Sequence, residues 1–187
     1  MDLDMYKHPS TKASLQELEE FQNKMIPVGS GELASGLSGE GRMAEPEEIV
    51  QFITKDLQAQ LPLYQKKILI TAGPTYEAID PVRFIGNHSS GKMGYAIAEE
   101  AANLGAEVIL VSGPTALQVT HKNIKLVRVT STQEMYEQVH QYYAEVNVAI
   151  AAAAVSDYKP VSKSANKIKK NKINLDVIKL EKNPDIL

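Results

Sequence analysis

Short apolar, β-branched runs alternate with amphipathic helical segments over residues 67–154, and this alternation is the feature that most constrains the fold. Residues 67–72 (KILITA) and 107–112 (EVILVS) are strand-like runs, and a Gly-Pro pair ends each of them. Residues 91–104 lie between the two runs and have helical periodicity. Alternating strands and helices form parallel sheets whose helices cover both faces. The sequence therefore predicts an α/β protein with a Rossmann-like parallel sheet.

The remaining segments of this region extend the same pattern. Residues 124–129 form a third strand-like run, and residues 147–154 (NVAIAAAA) form a fourth, which is fully apolar. Ser131 and Glu134 predict a capping box for a helix between these two runs. The inward side chains expected from helical spacing are Met93, Ile97, Ala101 and Leu104 in the first helix, and Met135, Val139 and Tyr142 in the second.

Residues 1–60 follow a different pattern, which predicts a separate domain before the sheet domain of residues 61–187. Residues 11–26 have the apolar spacing of an amphipathic helix. Residues 28–44 are rich in Gly and Ser, which is typical of a linker or a mobile flap. Pro46 begins a second helix at a position where its missing N–H has no cost.

Composition excludes several kinds of site. The chain of 187 residues has no cysteine, so disulfides, thiolate metal sites and a cysteine nucleophile are excluded. Its four histidines show no ligand spacing, and its net charge of −3 does not favour nucleic acid or a membrane surface. No apolar run approaches the roughly 20 residues of a membrane span, and acidic residues stand where a signal peptide needs a basic start. We expect a cytoplasmic protein.

The segment with the clearest chemical meaning is DPVRFIGNHSSGKMG, residues 80–94. Glycines and serines here precede a helix, whose first N–H groups and dipole suit a phosphate. The spacing of Gly86, Gly91 and Lys92 approaches the phosphate-loop pattern, but Met93 stands where a magnesium-binding Ser or Thr is needed. The pattern alone fits either a phosphate cradle of another kind or an ordinary loop. The GxGxxG motif of dinucleotide oxidoreductases is absent.

Three segments in this order resemble phosphopantothenate–cysteine ligase: TAGPTYEAIDPVRFIGNHSSGKMGYAIA, AAAVSDYKP and NKIKKNK. The resemblance implies coenzyme A synthesis, in which the 4′-phosphopantothenate carboxylate attacks the α-phosphate of CTP and pyrophosphate leaves. The amine of cysteine then displaces CMP from the acyl-cytidylate. Magnesium, CTP as co-substrate and a homo-oligomer with contacts near DPVRF are expected with it. The motif does not decide between CTP and ATP.

The resemblance also assigns roles to individual residues. Asn87 and Arg83 match residues near the activated acyl group, and Lys167 matches a triphosphate contact in the basic stretch of residues 159–172. The further nucleotide-binding residues expected are Gly73, Ser89, Ser90, Gly91, Ala153 and Asp157, the last also being the candidate magnesium ligand. The patterns alone also fit a helix cap at Asn87, an ion pair at Arg83, a turn at Asp157 and a solvated basic loop around Lys167.

Residues 1–60 resemble the last part of the flavin-dependent phosphopantothenoylcysteine decarboxylase to which this ligase is commonly fused, a flavodoxin-like domain that binds FMN. Asp2 stands where that family often has asparagine, and Ser35 stands where many members have a cysteine that completes proton transfer. A hydroxyl is a far weaker acid than a thiol. We expect neither FMN binding nor decarboxylase activity from this chain alone.

Two other classes of function remain open at this level. One is an NAD(P)-dependent Rossmann oxidoreductase, and the other is a non-catalytic fragment that binds nucleotide or pairs subunits. Asn183, Pro184 and Asp185 form a helix start close to the last residue, which predicts truncation.

Overall fold

A computed structural model describes residues 1–169 and 177–186. The chain divides into two compact units, Met1–Gln60 (unit 1) and Leu61–Leu187 (unit 2). None of the helices within the described ranges is long and apolar enough to cross a membrane.

Unit 1 consists of three helices and a β-hairpin. Its elements are α1 (Leu3–Lys7), α2 (Pro9–Glu20), β1 (Gly29–Glu32), β2 (Ser38–Arg42) and α3 (Pro46–Ala59). The expected helix over residues 11–26 is thus wrong at both ends, since α2 begins at Pro9 and ends at Glu20. Gln22 takes a left-handed conformation, with φ of 65°, directly after that end.

Residues 28–44 are not an irregular linker, because β1 and β2 pair there as an antiparallel hairpin; the alternative of a mobile flap stays a prediction. The strands read GSGE and SGEGR, so they carry none of the β-branched side chains that mark a strand in sequence. Gly36 supports the turn with φ of 79°. Neither α2 nor α3 has a buried residue, although both have apolar side chains at helical spacing.

Unit 2 is an α/β unit. Its elements are β3 (Lys67–Ala72), β4 (Tyr76–Ala78), β5 (Phe84–Gly86), α4 (Lys92–Asn103), β6 (Glu107–Ser112), β7 (Ile124–Arg128), α5 (Thr132–Tyr143), β8 (Val148–Ala151), β9 (Tyr158–Pro160) and β10 (Leu180–Lys182). The main sheet has four parallel strands in the order β7-β6-β3-β8. Two antiparallel pairs, β4 with β5 and β9 with β10, lie outside it.

This strand order confirms the predicted Rossmann-like sheet. β3 occupies the interior, the chain adds β6 and β7 on one side, and it then crosses to place β8 on the other side. Such an order is the first half of a doubly wound sheet. The Ser131–Glu134 capping box predicted for α5 is confirmed as well, with both of its hydrogen bonds present.

The core lies on both faces of β3 and β6, as alternating side chains of a buried parallel strand require. Ile68 and Ile70 pack with residues of α4, whereas Leu69 packs with Met135 and Val139 of α5. The face expected for α4 is partly wrong, because Met93 is 65% exposed. Ala101 of the predicted set is buried, and the other buried residues of α4 are Gly94, Tyr95, Ala98 and Ala102.

The last part of unit 2 includes β8 and the residues after β10. The apolar run of residues 147–154 is only partly buried, because β8 is an edge strand and Val148 is 46% exposed. Residues 183–186 follow β10 as irregular chain. The helix start at Asn183, Pro184 and Asp185 stays a prediction.

Candidate functional site

The strand order creates a crevice at the carboxyl ends of β3 and β8. Connections from β3 leave toward β6 on one side and return to β8 on the other, which makes this edge the switch point of the sheet. Ligands of open α/β sheets bind at such points. The segments that meet there are the loop after β3, the loop after β6, the start of α4 and the chain that follows β8.

Three backbone segments approach one another closely at the floor of the crevice. Gly73 and Gly91 both have φ of 74°, a conformation that favours glycine. A Cβ atom at either position would stand 2.8 Å from Cγ2 of Thr115, and a Cβ on Gly91 would also stand 3.3 Å from the Gly73 nitrogen. The structure thus brings together two of the predicted nucleotide-binding glycines, and only glycine fits at both.

The two serines before α4 are engaged with the helix start. Oγ of Ser89 accepts a hydrogen bond from the Gly91 N–H at 3.3 Å, and Oγ of Ser90 is 3.5 Å from the nitrogen of Lys92. Both contacts are long, so the N–H groups at this end of α4 are weakly bonded. A bound phosphate would meet the helix dipole here and replace or reorient these hydroxyls.

Asn87 links the two sides of the crevice. Its Nδ2 donates a hydrogen bond to the carbonyl oxygen of Val155 at 2.7 Å, across 68 residues of sequence. The side chain remains exposed, so it can also contact a ligand. Gly91, not Asn87, is the N-cap of α4, which removes helix capping as the explanation for this asparagine.

Buried hydroxyls fix the chain that follows β8. Oγ1 of Thr71 accepts from the N–H groups of Ala152 and Ala153 at 3.2 and 3.3 Å. Oγ1 of Thr75 lies 2.9 Å from that of Thr132 and accepts from the Ser156 N–H at 2.8 Å. These bonds hold the backbone of Ala153, a predicted nucleotide-binding residue, in place beside β3.

A cavity of about 580 Å³ opens at this point. Its lining residues are Thr71, Ala151, Ala153, Val155, Ser156, Asp157, Tyr158, Lys182, Asn183, Pro184, Asp185 and Ile186. Ala153 and Asp157 were expected at a nucleotide site, but the contribution of residues 182–186 was not. Asn183, Pro184 and Asp185 have the sequence pattern of a helix start, and this pattern does not indicate their place in the cavity lining.

Asn183 explains how the segment after β10 reaches the cavity. Its backbone N–H donates to the Asp157 carbonyl at 2.9 Å, and its Nδ2 donates to the Ser156 carbonyl at 2.8 Å. Oδ1 of Asn183 is a buried polar atom that has no hydrogen-bond partner among residues 1–169 and 177–186. Two N–H donors of Asn183, one from the backbone and one from the side-chain amide, therefore attach residues 182–186 to the chain after β8.

Carboxylates in the cavity suit a cation held mainly by a substrate. Asp157 and Asp185 both line it, while no group of three or more His, Cys, Asp or Glu residues in the described part of the chain is arranged to hold a metal by itself. Magnesium commonly binds through one or two carboxylates together with phosphate oxygens. The residues present fit a magnesium ion that arrives with a nucleotide.

Arg83 lies outside the cavity lining and is held by an acidic neighbour. Nε of Arg83 donates to Oδ2 of Asp80 at 3.1 Å, and the Asp80 side chain is fully buried. These bonds lower the pKa of the Asp80 carboxyl well below its ordinary range, and the Arg83 side chain is the main cause. The ion-pair interpretation of Arg83 thus has direct geometric support.

The predicted triphosphate contact Lys167 is exposed and does not line the cavity. The neighbouring Ile168 is attached to the Asp80–Arg83 pair by its N–H and its carbonyl oxygen. Lys170, the last member of the Lys167–Lys170 cluster, lies outside the described residues, as do residues 171–176.

In unit 1 the structure brings together Asp2 and Ser35, the two positions that depart from the decarboxylase pattern. Oγ of Ser35 donates to Oδ1 of Asp2 at 2.7 Å, and Oδ1 also accepts from the Leu3 N–H at 2.8 Å. Both residues line a depression of about 320 Å³. The Ser35 hydrogen bond is the largest cause that lowers the pKa of Asp2, followed by the Leu3 N–H.

Replacing Ser35 with alanine should raise the pKa of Asp2 toward its ordinary value, because the strongest bond to the carboxylate is lost. The bonded carboxylate adds stability above its ordinary pKa, and this contribution disappears as the pH falls through the lower folded-state value. A carbon-13 NMR titration of the Asp2 carboxyl measures the change. Ser10→Ala, which removes a hydroxyl bonded to His8, is the control; an unchanged Asp2 pKa in Ser35→Ala would contradict the assignment.

Residues 63–187 match the family model described as the DNA/pantothenate metabolism flavoprotein C-terminal domain. Several solved structures resemble the chain. The C-terminal domain of the coenzyme A biosynthesis bifunctional protein CoaBC is 54% identical, with a TM-score of 0.58 over 68% of this chain and 58% of that one. The DNA/pantothenate metabolism flavoprotein from Streptococcus pneumoniae is 31% identical, with a TM-score of 0.56 over 64% and 61%.

Curated relatives match all of the chain. A cysteine/cysteine sulfinic acid decarboxylase from an unknown prokaryotic organism is 48% identical, and the match covers 53% of that protein. The coenzyme A biosynthesis bifunctional protein CoaBC of Vibrio vulnificus is 44% identical over 46% of its length, and that of Bacillus subtilis is 41% identical over 46%. The chain thus spans about half the length of the curated relatives it matches.

Proposed function

The chain belongs to the family of the DNA/pantothenate metabolism flavoprotein C-terminal domain, and from this we propose that unit 2 is the nucleotide-binding part of a phosphopantothenate–cysteine ligase. The reaction joins 4′-phosphopantothenate to cysteine through an acyl-cytidylate, within coenzyme A synthesis. The names of the CoaBC relatives support the pathway. The ligase step rests on the site residues, and the choice of CTP rests on the resemblance to the fused ligase family.

The observation that carries the proposal is the cavity at the switch point, together with Asn87, which donates a hydrogen bond to the cavity-lining residue Val155. The cavity of about 580 Å³ is large enough for a ligand of nucleotide size. The start of α4 provides weakly bonded N–H groups for phosphate, and two carboxylates provide a place for the magnesium that accompanies it. The proposal thus assigns the phosphate and the cation to one edge of the sheet.

The amide of Asn87 suits the acyl group. It donates hydrogen bonds without titrating, so it can stabilise negative charge on a reacting carbonyl oxygen at any physiological pH. Its bond to the Val155 carbonyl orients the side chain before a ligand binds. Magnesium would neutralise phosphate charge during departure of pyrophosphate. Lys167 adds a positive charge that contacts the triphosphate.

Unit 1 fits the decarboxylase half of a longer protein in this proposal. The cysteine/cysteine sulfinic acid decarboxylase relative matches the whole chain, including unit 1. The hydrogen bond between Ser35 and Asp2 places both substituted positions in one depression. Ser35 and Asp2 supply neither an FMN site nor a catalytic base. We therefore do not propose decarboxylation for unit 1 by itself.

Titration with CTP and magnesium tests the proposed function directly. Binding at a concentration a hundredfold above the dissociation constant should stabilise the chain by about 2.7 kcal/mol, which a thermal melt detects. Replacing Lys167 with glutamine should weaken binding of CTP–Mg by about tenfold, because one charged phosphate contact is lost. Isothermal calorimetry measures the constants.

Lys163→Gln is the matched control, since Lys163 is an exposed lysine of the same basic stretch. The affinity of Lys163→Gln for CTP–Mg should stay within about twofold of the original value, because a screened surface charge has only a small effect. Stabilisation by NADP but not by CTP would sink the ligase proposal in favour of an oxidoreductase. Self-association without any nucleotide binding would favour a non-catalytic pairing fragment.

A further inference from the structure

Asp80 is a buried carboxylate whose two oxygens serve different parts of the chain. Oδ1 accepts the backbone N–H groups of Val82 at 2.8 Å and Arg83 at 2.9 Å, which closes the turn between β4 and β5. Oδ2 accepts the Ile168 N–H at 3.1 Å, across 88 residues of sequence. One side chain thus fixes the turn and also contacts the basic stretch.

Arg83 completes the attachment of this stretch. Its guanidinium contacts Oδ2 of Asp80 through Nε and Nη2, and Nη2 also donates to the Ile168 carbonyl oxygen at 3.0 Å. The peptide groups on both sides of Ile168 are therefore held by a single ion pair. Charge-assisted bonds of this kind are among the stronger hydrogen bonds of proteins.

The attachment of Ile168 affects the two lysines on either side of it. Lys167 and Lys169 flank Ile168, and both are exposed. Without an attachment, an exposed basic loop would lose backbone freedom when it contacts a polyphosphate, and this loss would oppose binding. Attachment at Ile168 removes part of that cost beforehand.

We propose that Asp80 is a positioning residue, which acts through Arg83 and Ile168 to hold Lys167 ready for the triphosphate of a nucleotide. The proposal rests on the proposed function of unit 2, and it assigns Arg83 to loop attachment as well. It names the turn between β4 and β5 as the place where the basic stretch is fastened. Asp80 itself touches no substrate in this assignment.

The charge of Asp80 allows the direction of the change in anion affinity to test the proposal. Removing a negative charge close to an anion site should strengthen anion binding if Coulomb attraction alone matters. Loss of the attachment should instead weaken binding. Asp80→Asn separates these effects, because the amide oxygen still accepts the N–H groups of Val82 and Arg83, whereas the amide nitrogen cannot accept from Ile168 or Arg83.

Limited proteolysis of the full chain measures attachment independently of any ligand. Trypsin should cut after Lys167 and Lys169 about tenfold faster in Asp80→Asn, since a charge-assisted bond is lost. The same variant should bind CTP–Mg and inorganic tripolyphosphate–Mg about tenfold more weakly in calorimetry. Cutting after Lys163, whose neighbour Ser164 is bonded separately to Ile79, should change little.

Two further variants keep the test decisive. Ile168→Pro removes the N–H that Asp80 accepts and leaves the charge of Asp80 in place, so it should weaken both ligands and speed cutting after Lys169 even if Asp80→Asn folds poorly. Glu181→Gln is the charge control, because it also removes one carboxylate of unit 2 but one that pairs with Lys159 at 3.7 Å. Its affinity should equal or slightly exceed that of the original chain.

The positioning role of Asp80 would be overturned if trypsin cut after Lys169 at the original rate in both Asp80→Asn and Ile168→Pro. It would also be overturned if these variants bound CTP–Mg as tightly as the original chain or more tightly. A chain that binds neither ligand in its original form fails the proposed function. The tryptic rates would then still show whether Asp80 holds Ile168.

Discussion

Replacing Gly113 with alanine should prevent unit 2 from folding. A Cβ atom on Gly113 would stand 1.6 Å from the carbonyl oxygen of Pro74 and 2.8 Å from its carbonyl carbon. Both obstacles are backbone atoms of the loop after β3, so no side chain can move aside. Relief requires the exits of β3 and β6 to separate, which would break the sheet at its centre. We expect the free energy of unfolding to fall by more than about 4 kcal/mol, a loss that single substitutions cause only through severe steric or buried-charge defects.

Gly29→Ala is the matched control, because a Cβ atom there has only ordinary contacts of 3.8 to 3.9 Å. It should change stability by no more than about 1 kcal/mol. Urea unfolding followed by circular dichroism compares the two variants. A Gly113→Ala chain that keeps the original unfolding midpoint would show that the two loops are not packed as described.

Replacing Asn87 with aspartate should weaken binding of CTP–Mg by about a hundredfold, through loss of a donor and addition of a negative charge. The present amide donates to the Val155 carbonyl oxygen at 2.7 Å. A carboxylate there would face that oxygen with no hydrogen to share, and it would repel the triphosphate as well. Calorimetry with CTP–Mg measures the effect, and Asn87→Ala separates the lost donor from the added charge.

Asn23→Asp provides a close control for this substitution. Nδ2 of Asn23 also donates to a backbone carbonyl, that of Leu18 at 3.0 Å, but it does so in unit 1. Nucleotide affinity should remain within about twofold in this variant. Equal losses in Asn87→Asp and Asn23→Asp would show that Asn87 has no special relation to the site.

The sheet could be predicted from the sequence because its strands are apolar on both faces. The apolar composition of KILITA and EVILVS indicates that these strands are buried, and the capping box of Ser131 and Glu134 marks the start of α5. The hairpin of unit 1 could not be predicted, because β1 and β2 consist largely of Gly, Ser and Glu. Backbone pairing holds these strands, and it leaves no periodic pattern of side chains.

Residues near the crevice could be predicted where a local motif determines their positions. Gly73, Gly91 and Asn87 stand at the crevice because strand ends and a helix start determine their places. Lys182 and Asn183 were missed, since they reach the cavity only through the attachment of Asn183 to Ser156 and Asp157. Contacts between segments that are distant in sequence depend on packing, and no spacing rule records them.

The same distant contacts set when the crevice can exist during folding. Thr75 meets Thr132 across 57 residues and Ser156 across 81, and Asn87 meets Val155 across 68. Closing such long loops is slow, so the crevice should be completed late, after the parallel strands have paired. A ligand that binds only the completed crevice cannot affect the early steps of folding. It would prolong the lifetime of the native state by slowing unfolding, and it would leave the folding rate nearly unchanged.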